Sequence, residues 1–503
     1  MTENMFEEFT AEANKPPILE RWFAPSTSPS FVRARWIWLR CLGAIFFSAF
    51  YSLYFQIHGL IGPRGVLPAF QYLDALHRAL GWKGYWFAPT LLWLNAGDRM
   101  LSAIVWIGFA ASIAIIFNLW PRLAIAVAGI CFLSFIGAAQ EFAGYQSDGM
   151  LLEAAFLSIF LAPRGIRPRM AASQPPSRAA VFLLQWEWFR IYFESGLVKI
   201  LSGDVQWRHF TAMDKYYENG PLPSWLGWYV QQWPHSFHAF SAGLTLVVEL
   251  FVVWLLFAPR KTTVCRVIAF LIVTPLQIGI ILTANYAFLN YLVLCLGVLL
   301  LEDSFLRGPV PKPRTMKASL AEAIVLPAIF ATTIFAFVMP SFPTVTLLDP
   351  FRIANRYGLF AIMTRERIEI EFQGTRDGVT WIPYPFRYKP QDVRQRPGLY
   401  APYQPRFEWN LWFASLGSVQ DNSWVLKTEG RLLENAAPVL QLFASNPFAD
   451  KPPMAVRAVA YQYWFTTHDE RARTGAWWRR QPLGAYAPAA KRAADGSIRF
   501  DSE

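Results

Sequence analysis

Charge is scarce in this sequence. Only 16% of its 503 residues are Asp, Glu, Lys or Arg, while 54% are hydrophobic; an ordinary soluble chain carries about a quarter charged residues. So few charges cannot cover the surface of a water-soluble protein of this length, so the composition calls for a bilayer as solvent. Cysteine is scarce too: Cys41, Cys131, Cys265 and Cys295 all fall in or beside apolar segments. Their placement argues against a disulfide framework, a C-x-x-C redox centre and a cysteine zinc site. It fits small buried hydrophobes. No H-E-x-x-H, nucleophile elbow, Walker A loop or strand-borne G-x-G-x-x-G occurs. "GLIGPRG" near residue 62 reads as a turn because Pro63 follows an apolar segment. No metal and no cofactor is expected.

Aromatic residues and long apolar runs are plentiful, with 22 Trp, 42 Phe and a mean hydropathy of +0.25. A bilayer core needs about 20 apolar residues per helix. Candidate spans lie at 36–57, 100–118, 121–140, 148–162, 178–201, 238–257, 264–282, 286–301 and 318–338. The fourth and eighth are short and depend on their neighbours. The first segment follows an acidic, polar start and the pair Arg33 and Arg35, so it reads as an uncleaved anchor.

Charge placement sets the orientation. With the N-terminus inside, the inner loops hold Arg122; Arg164, Arg167, Arg169 and Arg178; Arg260, Lys261 and Arg266; and Arg307, Lys312, Arg314 and Lys317. The outer loops after the third and seventh spans hold no Lys or Arg, and the one after the fifth offsets Arg208 and Lys215 with Asp204, Asp214 and Glu218. This alternation supports nine spans and an outer C-terminal region. The net charge of +11 is spread over such loops and the C-terminal third, so no nucleic-acid partner is expected.

The expected organisation is a polytopic α-helical membrane bundle followed by a small extracytoplasmic α+β domain with a β-sheet. A cytoplasmic segment covers 1–35, and the transmembrane domain covers 36–338 with an interfacial loop at 202–237. The α+β domain covers 341–485, and a basic, partly disordered tail covers 486–503. In the domain, "ERIEIEFQ" alternates Ile368, Ile370 and Phe372 with Glu369 and Glu371, which predicts a half-buried strand. "TRDGVTW" turns into a second strand that Pro383 and Pro385 confine to an edge. Asn422 is placed to cap a helix through Leu432 and Leu433, and "AVRAVAYQYWF", apolar on both faces, predicts a central strand.

Chemistry-bearing groups collect in two places. In the fifth span, Glu187, Arg190 and Glu194 share one helix face. A charge at mid-span costs about 2.5–3.5 kcal/mol, so Arg190 must point inward and pair, most simply with Glu194. Lys199 is expected to snorkel outward. His238, Thr245 and Glu249 form one stripe of the sixth span, and Asp148 and Glu153 come from the fourth. The intramembrane polar cluster is thus Glu153, Arg190, Glu194, His238 and Glu249. It either serves a ligand from the outer face or fixes helix register by ion pairs.

The second place is the loop beginning "SGDVQWRHFTAMDKYYENGPLPSWLGWYVQQWP". Its rings suit a helix lying at headgroup depth. Asp204, Trp207, Asp214, Tyr216, Tyr217, Glu218, Pro221 and Pro223 make it a candidate seat for a client or ligand. His209, His235 and His238 read as loop or interface residues rather than metal ligands.

With "ESGLVKILSGDVQWRHFTAMDKYYENGPLPSWLGWY", "FHAFSAGLTLVVELFVVWLLF", "ANYAFLNYLVLCLGVLLLEDS", "NRYGLFAIMTRERIEIEFQGTRDGVTWIPYPFRYKP", "YQPRFEWNLWFASLG", "NPFADKPP" and "GAWWRR", the chain resembles the lipase maturation factor family. The resemblance covers nearly everything after residue 30. Two positions depart from the pattern: Tyr216 runs directly into Tyr217 where the family would insert a His, and Ala287 stands where a Gly is usual. The resemblance implies a multi-pass protein of the endoplasmic reticulum membrane, with a luminal C-terminal domain, that assists secreted lipases toward active dimers. The acidic start and the lack of outer disulfides look bacterial, which places the equivalent in an inner membrane. The expected partners are a secreted client such as a lipase and the bilayer. A more distant resemblance to vitamin K-dependent carboxylase-type proteins implies a membrane enzyme or small-molecule binder as the alternative. Glu194 or Lys199 would then be the candidate base.

Overall fold

The computed structural model describes residues 30–170, 175–258, 263–306, 320–493, 495 and 497–500. The acidic start and the basic positions at 260–261 and 307–317 lie outside them.

Each apolar run folds as a helix. The bundle contains α1 (Val32–Ile61), α2 (Ala69–Leu80), α3 (Asp98–Ile116), α4 (Pro121–Ile136), α5 (Gln146–Leu161) and α6 (Arg178–Leu201). It continues with α7 (Trp225–Gln231), α8 (His235–Leu250), α9 (Thr263–Thr283), α10 (Leu289–Gly297) and α11 (Leu320–Val338). Among the described residues, four helical stretches are long and apolar enough to cross a membrane: Val32–Ile61, Asp98–Ile116, His235–Phe257 and Thr263–Thr283. Glu322–Val338 and the helix bent from it at Pro343–Phe351 meet the same test when taken together, which makes five if the pair is one span. α4 and Leu289–Leu300 are apolar but shorter.

Small residues let the helices approach closely. A Cβ on Gly108 of α3 would run into the Phe50 ring of α1, so the glycine lets these two helices come close. At the start of α1 the Asp303 carboxylate accepts the Val32 and Arg33 N–H groups, both at 2.8 Å, and the Ser30 hydroxyl at 2.7 Å. The chain therefore supplies from a distant segment the acceptor that free helix N–H groups need.

The C-terminal domain is an antiparallel sheet with helices. Its strands are β1 (Arg367–Thr375), β2 (Trp381–Pro383), β3 (Ala455–Phe465), β4 (Trp478–Ala485), β5 (Ala490–Arg492) and β6 (Ile498–Phe500). Its helices are α12 (Arg406–Ala414), α13 (Trp424–Leu433) and α14 (His468–Thr474). The order is β2-β1-β3-β5-β6, with β4 also on β3. β3 is central and β2 is at the edge, as the sequence predicts. Phe372, Phe407, Trp424 and Phe443 are packed inside.

Two expectations are corrected. β1 is buried on both faces: Glu369 pairs with Arg367 and with Lys389 (2.7 Å), and Glu371 pairs with Arg480 (2.9 Å). Alternation signalled a strand but not that its acids would meet cations. The tail at 486–503 contributes β5 and β6, with Val456 of β3 paired to Ala490. At α13 the residue at the N-cap is Ser423, without a side-chain cap; the Asn422 amide turns back to the Ser418 carbonyl at 3.0 Å.

Candidate functional site

α6 buries Glu187, Arg190, Glu194, Ser195 and Lys199. Four of these meet the segment 355–359, Asn-Arg-Tyr-Gly-Leu, which leads toward β1. Arg190 donates to Glu153 of α5 and to the Asn355 carbonyl, the latter at 2.6 Å. The other Glu153 oxygen accepts the Asn355 N–H at 2.9 Å, its side-chain amide at 3.0 Å and the Tyr357 hydroxyl at 2.9 Å. Glu194 accepts the Tyr357 N–H at 2.6 Å, and the Ser195 hydroxyl accepts the Leu359 N–H at 3.2 Å. Lys199 donates to Glu249 of α8 at 2.8 and 3.0 Å and to the Leu359 carbonyl at 3.0 Å. Burial, reinforced by the neighbouring Glu153, holds the Tyr357 phenol well above its ordinary range. It therefore stays a donor to that carboxylate.

This geometry revises the sequence pairing. Arg190 pairs with Glu153 on the adjacent helix, because backbone N–H donation already satisfies Glu194. Lys199 does not snorkel: its side chain is 2% exposed and locked by Glu249, because the C-terminal region covers that end of α6. His238 is buried and faces the Tyr217 ring at 5.8 Å between centroids. Eleven residues separate it from Glu249 on α8, about 16 Å along a helix, so it stands outside the cluster. Asp148 finds a different cation, Arg406 of α12, in a two-point contact at 2.7 and 2.8 Å.

The loop after α6 also differs from the interfacial reading. Trp207, Tyr216, Tyr217 and Trp228 are buried, and the chain's own C-terminal region engages the loop's polar groups. Asp204 accepts the Met363 N–H at 2.8 Å, and Glu218 accepts the Phe465 N–H at 2.7 Å. The Trp207 indole donates to the Phe360 carbonyl at 2.9 Å. Arg367 donates to the Glu218, Gly220 and Pro221 carbonyls. Pro223 bridges to Ala284, and Asp214 meets His235 at 2.9 Å. Amphipathic rings indicate an interface without saying what lies across it; here the facing surface includes protein.

The sequence reading missed Asn355, Tyr357, Arg406 and Asn285. Asn285 donates to the Leu222 and Gly398 carbonyls, both at 3.0 Å, and accepts the Tyr400 and Ala401 N–H groups at 2.7 and 3.1 Å. Asn355 and Tyr357 belong to "NRYGLF" and Arg406 to "YQPRFEWN", runs in which a polar group sits among aromatics. That cue could have marked them. Chemically, the arrangement is a socket: Glu153, Glu194, Glu249, Arg190 and Lys199 are engaged with one another and with backbone. A general base must reach its substrate, whereas Glu194 and Lys199 are buried and engaged.

The sequence comparisons agree with this two-part organisation. The lipase maturation factor transmembrane domain family matches residues 33–308, and the lipase maturation factor C-terminal domain family matches residues 353–488. Lipase maturation factor 1 of Bos taurus is 32% identical, the match covering 92% of this chain and 91% of the relative. Lipase maturation factor 1 of Homo sapiens is 30% identical, over 95% and 92%. Lipase maturation factor 2 of Gallus gallus is 29% identical, over 91% and 81%. No solved structure matches. With both of its regions matched in order and relatives covering most of its length, this chain belongs to the lipase maturation factor family.

Proposed function

We propose that this protein is a membrane-embedded factor that assists secreted proteins, lipases among them, to reach their active fold. The carrying observation is the near full-length similarity to proteins named for lipase maturation, which spans the bundle and the C-terminal domain alike.

In this reading all nine candidate segments cross an inner membrane, and the C-terminal domain lies outside. The direction of the docking contacts supports the arrangement. Contacts with the C-terminal region come from the C-terminal part of α1 through Ser52 and Gln56, the N-terminal half of α5 through Asp148 and Glu153, and the C-terminal half of α6. Tyr291 at the start of α10 adds a contact to the Ala401 carbonyl at 3.2 Å. Charge alternation assigns these same ends to the outside. Arg33 and Arg122 contact Leu306 and Ala162 at the opposite ends of the bundle. The loop at 202–237 and the α+β domain together form a client platform held by the socket on α6.

Deleting the gene should lower the specific activity of a secreted lipase more than its secreted amount. Photocrosslinkers on the outer domain should trap an extracytoplasmic hydrolase. Unchanged lipase activity together with no extracytoplasmic protein trapped from several positions would sink the proposal. Topology has its own measurement: a cysteine at Val379, which is 83% exposed, should react with an impermeant maleimide from outside intact cells. Labelling only after lysis would invert the orientation.

A further inference from the structure

A cavity of about 980 Å³ lies where the outer ends of α1 and α3 meet the C-terminal domain. That volume is at the upper end of the range for small-molecule sites, about 300–1,000 Å³, and it is separate from the α6 socket. We infer that it binds one phospholipid from the outer leaflet, with an acyl chain against α1 and α3 and the phosphate on Arg387.

The two ends of the cavity differ in chemistry. Its membrane side is lined by Tyr54, Phe55 and Trp106, which are 45%, 50% and 58% exposed on helices apolar and long enough to span. The Tyr54 and Trp106 rings meet edge to face at 5.4 Å. This wall therefore continues the lipid-facing flank of the bundle, and an acyl chain can enter from the side without crossing water. The domain side presents Tyr388, Tyr403 and the Arg387 guanidinium. Arg387 is exposed and contacts the Gln441 carbonyl at 3.4 Å, and among the described residues it has no ion pair. A guanidinium matches phosphate oxygens in a two-point geometry. The one carboxylate in the lining, Glu408, is directed at its own neighbours: it accepts the Arg387, Tyr388 and Lys389 N–H groups at 2.9, 2.8 and 2.7 Å. It holds the loop bearing Arg387 in place rather than covering the cation. His58 is likewise occupied, by Asp98 at 2.7 Å and Ser102 at 3.0 Å.

The occupant follows from where the cavity opens. Moving an acyl chain from lipid into an aromatic groove gains little, since lipid tails are as apolar as the wall. Selectivity must then rest on the headgroup, so a lipid lacking phosphate should bind poorly. A peptide from a client would need main-chain partners. The mobile partner that reaches both the flank and the cation is a lipid.

The test uses the full chain in proteoliposomes with trace phosphatidylglycerol carrying a diazirine in its acyl chain. A diacylglycerol with the same chain is the comparison. Irradiation should label α1 near residues 51–55, α3 near Trp106 and the domain loop at 399–403. Arg387→Gln should lose the 399–403 label while keeping the label on the lipid-facing Ile268 and Leu271 of α9. Leu399→Trp, which fills the cavity from its rim, should give the same loss, and this covers the case in which Arg387→Gln does not fold. Labelling of 399–403 that is equal with diacylglycerol, or unchanged in both variants, would overturn the inference. So would the absence of label there in the wild type.

Discussion

Arg190 on α6 and Glu153 on α5 pair across the helix interface, and the second oxygen of the same carboxylate takes the N–H of Asn355. One buried ion pair thus joins two helices and the segment that enters the C-terminal domain. Arg190→Met removes the cation from beside Glu153 and Glu194 and frees the Asn355 carbonyl. Breaking a buried pair from one side costs about 3–5 kcal/mol. Thermal unfolding in detergent should report that loss, and limited proteolysis should open the chain near residues 352–366. The double variant Arg190→Met with Glu153→Met should recover part of the stability but not the protection, because Asn355 and the Tyr357 hydroxyl then also lose their Glu153 acceptor. Full recovery of both would mean that the pair acts on helix packing alone.

Asn285 fastens a second junction, since its amide bonds four backbone groups in two loops. Asn285→Ala leaves the Tyr400 and Ala401 N–H groups without their acceptor, and each unsatisfied buried group costs about 1–3 kcal/mol. These groups are partly buried, so a loss near about 2 kcal/mol is expected. Hydrogen exchange should quicken at residues 398–403 before it changes in β3. Uniform quickening across the domain would refute this local role.

Ala287 holds a backbone φ of +50°, in the left-handed region that a Cβ disfavours. For an alanine the left-handed conformation costs about 1–2 kcal/mol, while glycine gives back about 0.5–1 kcal/mol in unfolded-chain entropy. Ala287→Gly should therefore stabilise the protein by up to about 1 kcal/mol, read as a rise in unfolding temperature. A fall would show that the buried methyl contact outweighs the backbone strain.

These residues show what the sequence could and could not disclose. Helix positions were legible because about 20 apolar residues in a row have few other uses, and β3 was legible because both its faces are apolar. The burial of Arg190 was legible from its cost in a membrane. Its partner was not, because periodicity relates residues within one helix and says nothing about which neighbouring helix or loop faces it. Lys199 was misread for the same reason: a lysine near a helix end snorkels only if nothing covers that end. The aromatic loop after α6 carried the right chemistry for an interface, but the surface opposite it came from residues 360–367 and 465, more than a hundred positions away. Ion pairs with acids on β1 came from Lys389 and Arg480, equally invisible to a period-two pattern.

The C-terminal domain also carries a pH-sensitive group. Glu429 on α13 is fully buried, and burial pushes its carboxyl up to about 9 from an ordinary 4.5. In the unfolded chain the group ionises near its ordinary value, so between those limits the native state holds a proton that the unfolded state has released. Stability from this group is complete below about pH 4.5 and falls by about 1.4 kcal/mol per pH unit until native Glu429 ionises near pH 9. Glu429→Gln keeps the size and neutrality of the protonated acid and removes the titration. The variant should match wild type near pH 4.5 and become progressively more stable than it toward pH 9. Unfolding midpoints in a pH series would show the wild-type slope flattening in the variant. Parallel slopes would place the titration elsewhere and leave Glu429 ionised at neutral pH.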